Sequence, residues 1–194
     1  MKKPKLPRPE EEALRQVAEL MCLAARTAPK GRGIDTILTA ILEGREKQQL
    51  EGEMRRIAKE QGIFMFERDA ACIQDSPLVV LVGTKIEPRE VPYCGLCGVK
   101  NCAENRKSTH RCAFCVGDLG IAIGSAVSVA SIHHADNRIM FTGGKAALNL
   151  KLLGEDVEIV YAIPVSALGK SPYYDRAAQP TPSPQGPSPK PSRR

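Results

Sequence analysis

The sequence predicts an α/β (α+β) domain in which helices layer on a sheet, and three observations carry that expectation. Segments with helical and strand-like patterning alternate along the chain. The strand-like segments are short, continuous apolar runs, the pattern of strands buried on both faces. Apolar residues make up 42% of the 194 residues and charged residues 26%, a globular balance that can bury one core.

The elements follow in order. Leu14, Val17, Ala18, Met21, Ala24 and Ala25 fall on one helical face, behind Glu10, Glu11 and Glu12, which suit a helix N-terminus. Residues 36–42, from Thr36 to Leu42, are apolar and rich in β-formers, as for a buried strand. Residues 45–61 turn charged, with Leu50, Met54, Ile57 and Ala58 at helical spacing. Pro77-Leu78-Val79-Val80-Leu81-Val82-Gly83 reads as a second buried strand. Residues 117–133 are apolar nearly all round, which predicts a helix inside the core. Gly143-Gly144 opens a short helix, and residues 157–163 form a third strand.

Charge and composition narrow the partners. The formal net charge is +6, but residues 1–8 carry four basic and no acidic residues, and residues 177–194 carry three basic and no acidic ones. Residues 9–176 are therefore near neutral. With no Trp, four Tyr and four Phe, a base-stacking surface is not expected, and nucleic acid is not an expected partner. Residues 1–9 read as a disordered basic arm, 10–176 as the folded domain, and 177–194, with six prolines, as a disordered proline-rich tail. The start of the chain has no apolar stretch behind its charges, and the apolar run at 119–132 is shorter than the ~18–20 residues of a membrane span. A cytoplasmic location without membrane contact is expected, and in that compartment disulfides are uncommon.

Five of the seven cysteines lie between positions 94 and 115: Cys94-Gly95-Leu96-Cys97-Gly98-Val99-Lys100-Asn101-Cys102, then Cys112-Ala113-Phe114-Cys115. Two readings compete. In the preferred one, Cys94, Cys97, Cys102 and Cys112 bind the irons of a 4Fe–4S cluster, with Gly95 and Gly98 allowing the tight wrapping. In the other, Cys94, Cys97, Cys112 and Cys115 form a tetrahedral zinc site in a non-enzymatic interaction module. Cys22 and Cys72 sit in apolar patterns and read as core residues.

The cysteine segment resembles the small cluster-binding module of bacterial ferredoxin-type and corrinoid iron–sulfur proteins. Together with residues 118–126 and Asp136-Asn137-Arg138-Ile139-Met140, it is similar to a prokaryotic family described as containing a ferredoxin domain, over residues 10–176. A more distant resemblance is to the nitroreductase fold, which binds flavin mononucleotide (FMN) at a dimer interface. Its carriers are Ala24-Ala25-Arg26-Thr27-Ala28-Pro29-Lys30-Gly31-Arg32-Gly33, which looks like a helix end and Ala-Pro-Ser loop, and the matching order of the later elements. Lys30 replaces the loop Ser, and residues 1–12 hold no counterpart of the Arg-Arg-Ser-x-Arg segment that grips the flavin phosphate. The resemblances imply a nitroreductase-like sheet-and-helix domain with a cysteine-rich iron–sulfur insertion at about 93–115. They imply a 4Fe–4S electron-transfer protein and a possible FMN, with a homodimer and a redox partner protein as partners.

Weaker signals complete the reading. Arg26, Lys30 and Arg32 around Pro29, Gly31 and Gly33 make either an anion cradle or a solvated basic turn; with Lys170 and Arg176 they are the candidate flavin or anion contacts. Thr142-Gly143-Gly144-Lys145 lacks full phosphate-loop spacing and reads as a helix start. His133-His134 ends the apolar helix. Asp118 and Asp136 read as caps or turn residues. Exposed apolar area is expected near residues 10–25 or 117–133, where a second copy would pack.

Overall fold

The computed structural model describes residues 8–174, so the arm at 1–7, Arg176 and the proline-rich tail at 177–194 lie outside the described residues. Helix α1 spans Pro9–Thr27, its proline in the first turn, where the missing N–H has no intrahelical partner anyway, and three glutamates beside it. The domain thus starts one residue inside the expected arm. A single 3-10 turn at Gly31–Gly33 leads into β1 (Ile37–Leu42). Then come α2 (Gly44–Gln61), α3 (Phe64–Asp75), β2 (Leu78–Thr84) and the short α4 (Cys102–Asn105). Helix α5 (Ala113–Ile132), β3 (Asp136–Asn137), α6 (Phe141–Asn149) and β4 (Ile159–Ser166) complete the order.

The four strands form one antiparallel sheet in the order β1-β2-β4-β3. Period-two alternation in β2 splits the core in two. Leu78, Val80 and Val82 join Ile163 and Val165 under α1 and α5, while Val79 and Leu81 join Val160 and Ala162 under α2, α3 and α6. Helices therefore cover both faces. Strand β2 is buried at every position, as its run of aliphatics predicts. Strand β1 departs from the expectation: it is an edge strand, and only Ile37 and Leu42 are fully buried.

Two glycines set how close α6 sits on the sheet. A Cβ at Gly144 would lie 1.8 Å from the Val160 carbonyl oxygen, and one at Gly143 would lie 2.7 Å from the Ala162 Cβ. The Gly-Gly pair is there for close approach, consistent with a helix start and not a phosphate loop.

Helix α5 has 20 residues and is apolar and long enough to cross a bilayer by length and composition. Here it is the central partner of α1, with Leu119, Ala122, Ile123, Ala126 and Ala130 in the shared core. His133 caps its C-terminus, as expected.

Candidate functional site

The end of α1, the loop that follows it, the excursion at 85–112 and the start of α5 meet at one end of the molecule. Asp118 and Arg89 organise this junction. Arg89 is fully buried, and its Nε donates to Asp118 Oδ2 at 3.1 Å, its Nη2 to Thr36 Oγ1 at 2.7 Å and its Nη1 to the Glu87 carbonyl at 3.2 Å. The other Asp118 oxygen accepts the Gly31 N–H at 2.9 Å. One buried ion pair thereby ties α5, the basic loop, the start of β1 and the excursion together. Asp118 is no cap or turn residue. Arg89, which sequence reasoning missed, gives no signal in a loop otherwise rich in charge and proline.

Two cavities flank this pair and share Ala113 and Phe114. The first, about 160 Å³, is lined by Cys94, Cys97, Cys102 and Cys112, with Arg89 and Phe114 among its other walls. The second, about 400 Å³, is an apolar cleft between Pro29, Lys30 and Gly31 on one side and Phe114, Gly117, Asp118 and Ile121 of α5 on the other. A Cβ at Gly31 would meet the Phe114 ring at 3.0 Å, whereas Gly117 has nothing within 4 Å.

The 4Fe–4S expectation is overturned at this point. Although Cys94, Cys97, Cys102 and Cys112 reach one cavity, no group of three or more His, Cys, Asp or Glu side chains among the described residues is arranged to hold a metal ion. The excursion is therefore not an iron–sulfur insertion, and the zinc alternative with Cys115 falls with it. Tyr93, Gly95 and Gly98 all take left-handed backbone angles (φ of 55°, 59° and 85°), so the chain turns repeatedly through the first part of the cysteine segment. Gly98 does need the unusual angle expected of it, but to make a turn. The His110 ring lies 2.9 Å from the Cys97 carbonyl oxygen and holds that turn from outside.

Cys112 and Cys115 have other commitments. Cys112 is the N-cap of α5, and burial of its thiol is outweighed by backbone hydrogen bonds at Cys115, Arg89 and Phe114 and by the Cys115 side chain, so its pKa lies below the ordinary value. Burial pushes the Cys115 thiol up to about 11, and the neighbouring Cys112 sulfur adds to the rise. Cys115 Sγ also lies 3.0 Å from the Glu87 carbonyl oxygen, to which it donates. Cys72 is buried as a core cysteine, and Cys22 is half-buried against the same core layer as α5.

Of the basic candidates, Arg26 and Lys30 meet at the Asp35 carboxylate, at 2.6 Å and 3.8 Å. Arg26 donates to Asp35 and to the Ile37 carbonyl, both at 2.6 Å. Lys30 lines the apolar cleft, but its ammonium donates to the Ala25 and Arg26 carbonyls at the end of α1. Arg32 donates to the Arg89 and Glu90 carbonyls. Lys170 lies in a bend beyond β4, and Arg176 is outside the described residues.

Comparison with known proteins matches this fold. A nitroreductase from Desulfitobacterium hafniense with bound FMN superposes with a TM-score of 0.54 at 16% identity, covering 94% of this chain and 86% of that one. A nitroreductase from Desulfovibrio desulfuricans in complex with FMN gives a TM-score of 0.55 at 11% identity, covering 91% and 94%. At such identity the likeness is one of fold, and the nitroreductase-like α+β fold is established by it. In sequence, a family model described as "Uncharacterized protein containing a ferredoxin domain (DUF2148)" matches residues 108–176. A protein from Archaeoglobus fulgidus is 39% identical over 176 residues, spanning 87% of this chain and 94% of its own length. The chain belongs to the family of that archaeal protein.

Proposed function

We propose that the protein is an FMN-binding redox protein that holds the flavin ring in the apolar cleft between the 29–31 loop and α5, and that it works as a homodimer. The observation that carries the reading is the cleft itself. Its volume of about 400 Å³ lies within the usual range for small-molecule sites, and its walls are apolar apart from the lysine at its edge and the paired Asp118. Two proteins of like fold hold FMN.

The donor set fits the ring better than the phosphate. Phe114, Ile121 and Pro29 offer flat or aliphatic surface that excludes water, and Gly117 leaves the space open. For the phosphate, Lys30 is the cation among the described residues that lines the cleft, and Arg26 and Arg32 serve the loop instead. Bound FMN supplies passage between one- and two-electron carriers. The chain's own contribution is rigidity: the Asp118 contact to the Gly31 N–H fixes the loop against α5, and Arg89 holds Asp118 in place.

Titration of the purified chain with FMN, followed by quenching of flavin fluorescence, tests this. Saturable binding is expected, and Gly117→Leu should weaken it at least about tenfold, a loss of about 1.4 kcal/mol, without lowering the melting temperature. Absence of saturable binding, or a Gly117→Leu variant that binds as the parent does, overturns the reading.

A further inference from the structure

We propose that Arg32 is a positioning residue of the apolar cleft: it locks the 29–33 loop onto the excursion at 85–112 and so fixes the wall against which a flat ring packs. The proposal rests on the flavin reading for the identity of the ring, whereas the lock is a property of the chain alone. Three observations carry it. The first is strain. Arg32 has φ of 57° and ψ of 20°, in the left-handed region that favours glycine. Its neighbour Gly33 takes a similar angle (φ of 69°) without that cost, so the loop already uses glycine for such a turn. Strain at a residue with a long side chain is offset by what the side chain binds. The second is that binding. Arg32 Nη1 donates to the Arg89 carbonyl at 3.3 Å and to the Glu90 carbonyl at 3.0 Å. Glu90 is itself left-handed (φ of 52°), and its carboxylate pairs with Arg106. Two strained turns thus meet and are held together through one guanidinium.

The third observation is where the loop lies. Pro29, Lys30 and Gly31 line the cleft, as does Phe114 from α5. The Gly31 N–H is tied to Asp118 Oδ1 at 2.9 Å, and a Cβ on Gly31 would come within 3.0 Å of the Phe114 ring. Asp118 therefore holds the loop from the α5 side, and Arg32 holds it from the side of the excursion. Without Arg32 the hydrogen-bonded support from the excursion is lost, and the gap between the loop and α5 is free to widen. A ring that packs between those two walls loses contact with one of them. With Nη1 committed to two carbonyls, Arg32 braces the wall of the cleft; it does not grip a phosphate.

The test compares Arg32→Ala, Arg32→Gly and Arg32→Lys with the parent, each as the full chain. Amide hydrogen exchange at Gly31 reads the lock without any ligand. Titrations with FMN and with riboflavin, which lacks the phosphate, read the wall. Ala and Gly remove the same side chain, but Gly relieves the left-handed strain, so Arg32→Gly should melt above Arg32→Ala. Both should nonetheless exchange the Gly31 amide at least about tenfold faster and bind both flavins at least about fivefold more weakly. Arg32→Lys, whose ammonium can donate to the same carbonyls, should recover part of each loss. Parental Gly31 exchange in Arg32→Ala, or affinities that rank as the melting temperatures do, overturns the proposal. A loss confined to FMN and absent for riboflavin makes Arg32 a phosphate contact and overturns it equally. If the parent binds neither flavin, the flavin reading falls by itself and the Gly31 exchange still decides the lock: faster exchange in Arg32→Ala supports it, unchanged exchange sinks it.

Discussion

Arg89 and Asp118 hold the junction beside both cavities, and burial makes them costly to disturb one at a time. Removing one partner leaves the other charged and unpaired in the interior, a loss of about 3–5 kcal/mol. Asp118→Ala should therefore lower the urea midpoint strongly, and Arg89→Met with Asp118→Leu should recover part of the loss, since no orphan charge remains. An Asp118→Ala variant with parental stability would mean that the pair is not buried in solution. Two further residues set the alkaline limit. Tyr173, buried with its hydroxyl on Ser76 Oγ at 2.8 Å, is pushed up to about 12 by burial, and Cys115 to about 11. Both pKa values are raised, so their contribution is complete below the unfolded values and is lost as pH rises through the folded ones. Cys112 has the opposite sign, adding stability above its lowered pKa. The net expectation is a fall in the melting temperature between about pH 9 and 12, reduced at its upper end in Tyr173→Phe, whose ring has no proton to lose.

At the scale of elements, the glycines separate packing from propensity. Gly144→Ala must push α6 away from the Val160 carbonyl and should lie at or beyond the top of the about 1–3 kcal/mol range for overpacking. Gly52, exposed within α2 with nothing within 4 Å, should behave oppositely: Gly52→Ala should stabilise by about 0.5–1 kcal/mol. Chemical denaturation of the two variants checks both signs. What could be read from sequence divides along similar lines. β2, α1, α2 and α5 carry their periodicity openly. α3 does not, because Asp69 is buried with Thr142 and Arg68 as partners, so a charge interrupts the apolar face. The cysteine spacing misjudged the chemistry of its segment, where no metal-holding group of side chains forms among the described residues. Spacing counts residues, whereas ligation depends on where each sulfur points after the turns at Tyr93, Gly95 and Gly98. The Arg89 to Asp118 pair, 29 positions apart, leaves no local trace at all.

For the whole molecule, the question is what covers the outer face of α1 and α5. Leu23 is 57% exposed and Ile132 72%, with Leu20, Val116 and Ile121 also open to solvent. Along α5, Gly117, Gly120 and Gly124 have nothing within 4 Å, so another backbone can approach closely there. Exposed apolar area was expected near residues 10–25 or 117–133, and the face lies there. In the proposed homodimer a second copy would cover this face by the simplest symmetry, a two-fold axis that sets the face against itself. The same packing would place a second chain beside Ile121 and Gly117, and so beside the proposed flavin cleft. Sedimentation at micromolar concentration should therefore give a dimer. Leu23→Glu should shift it to monomer while leaving the far-ultraviolet spectrum unchanged, since Leu23 points away from the core and its replacement desolvates a charge only in the assembly. If FMN affinity falls with the dimer, the second copy completes the cleft; if the parent chain sediments as a monomer, the face belongs to some other contact and the cleft is built by one chain alone.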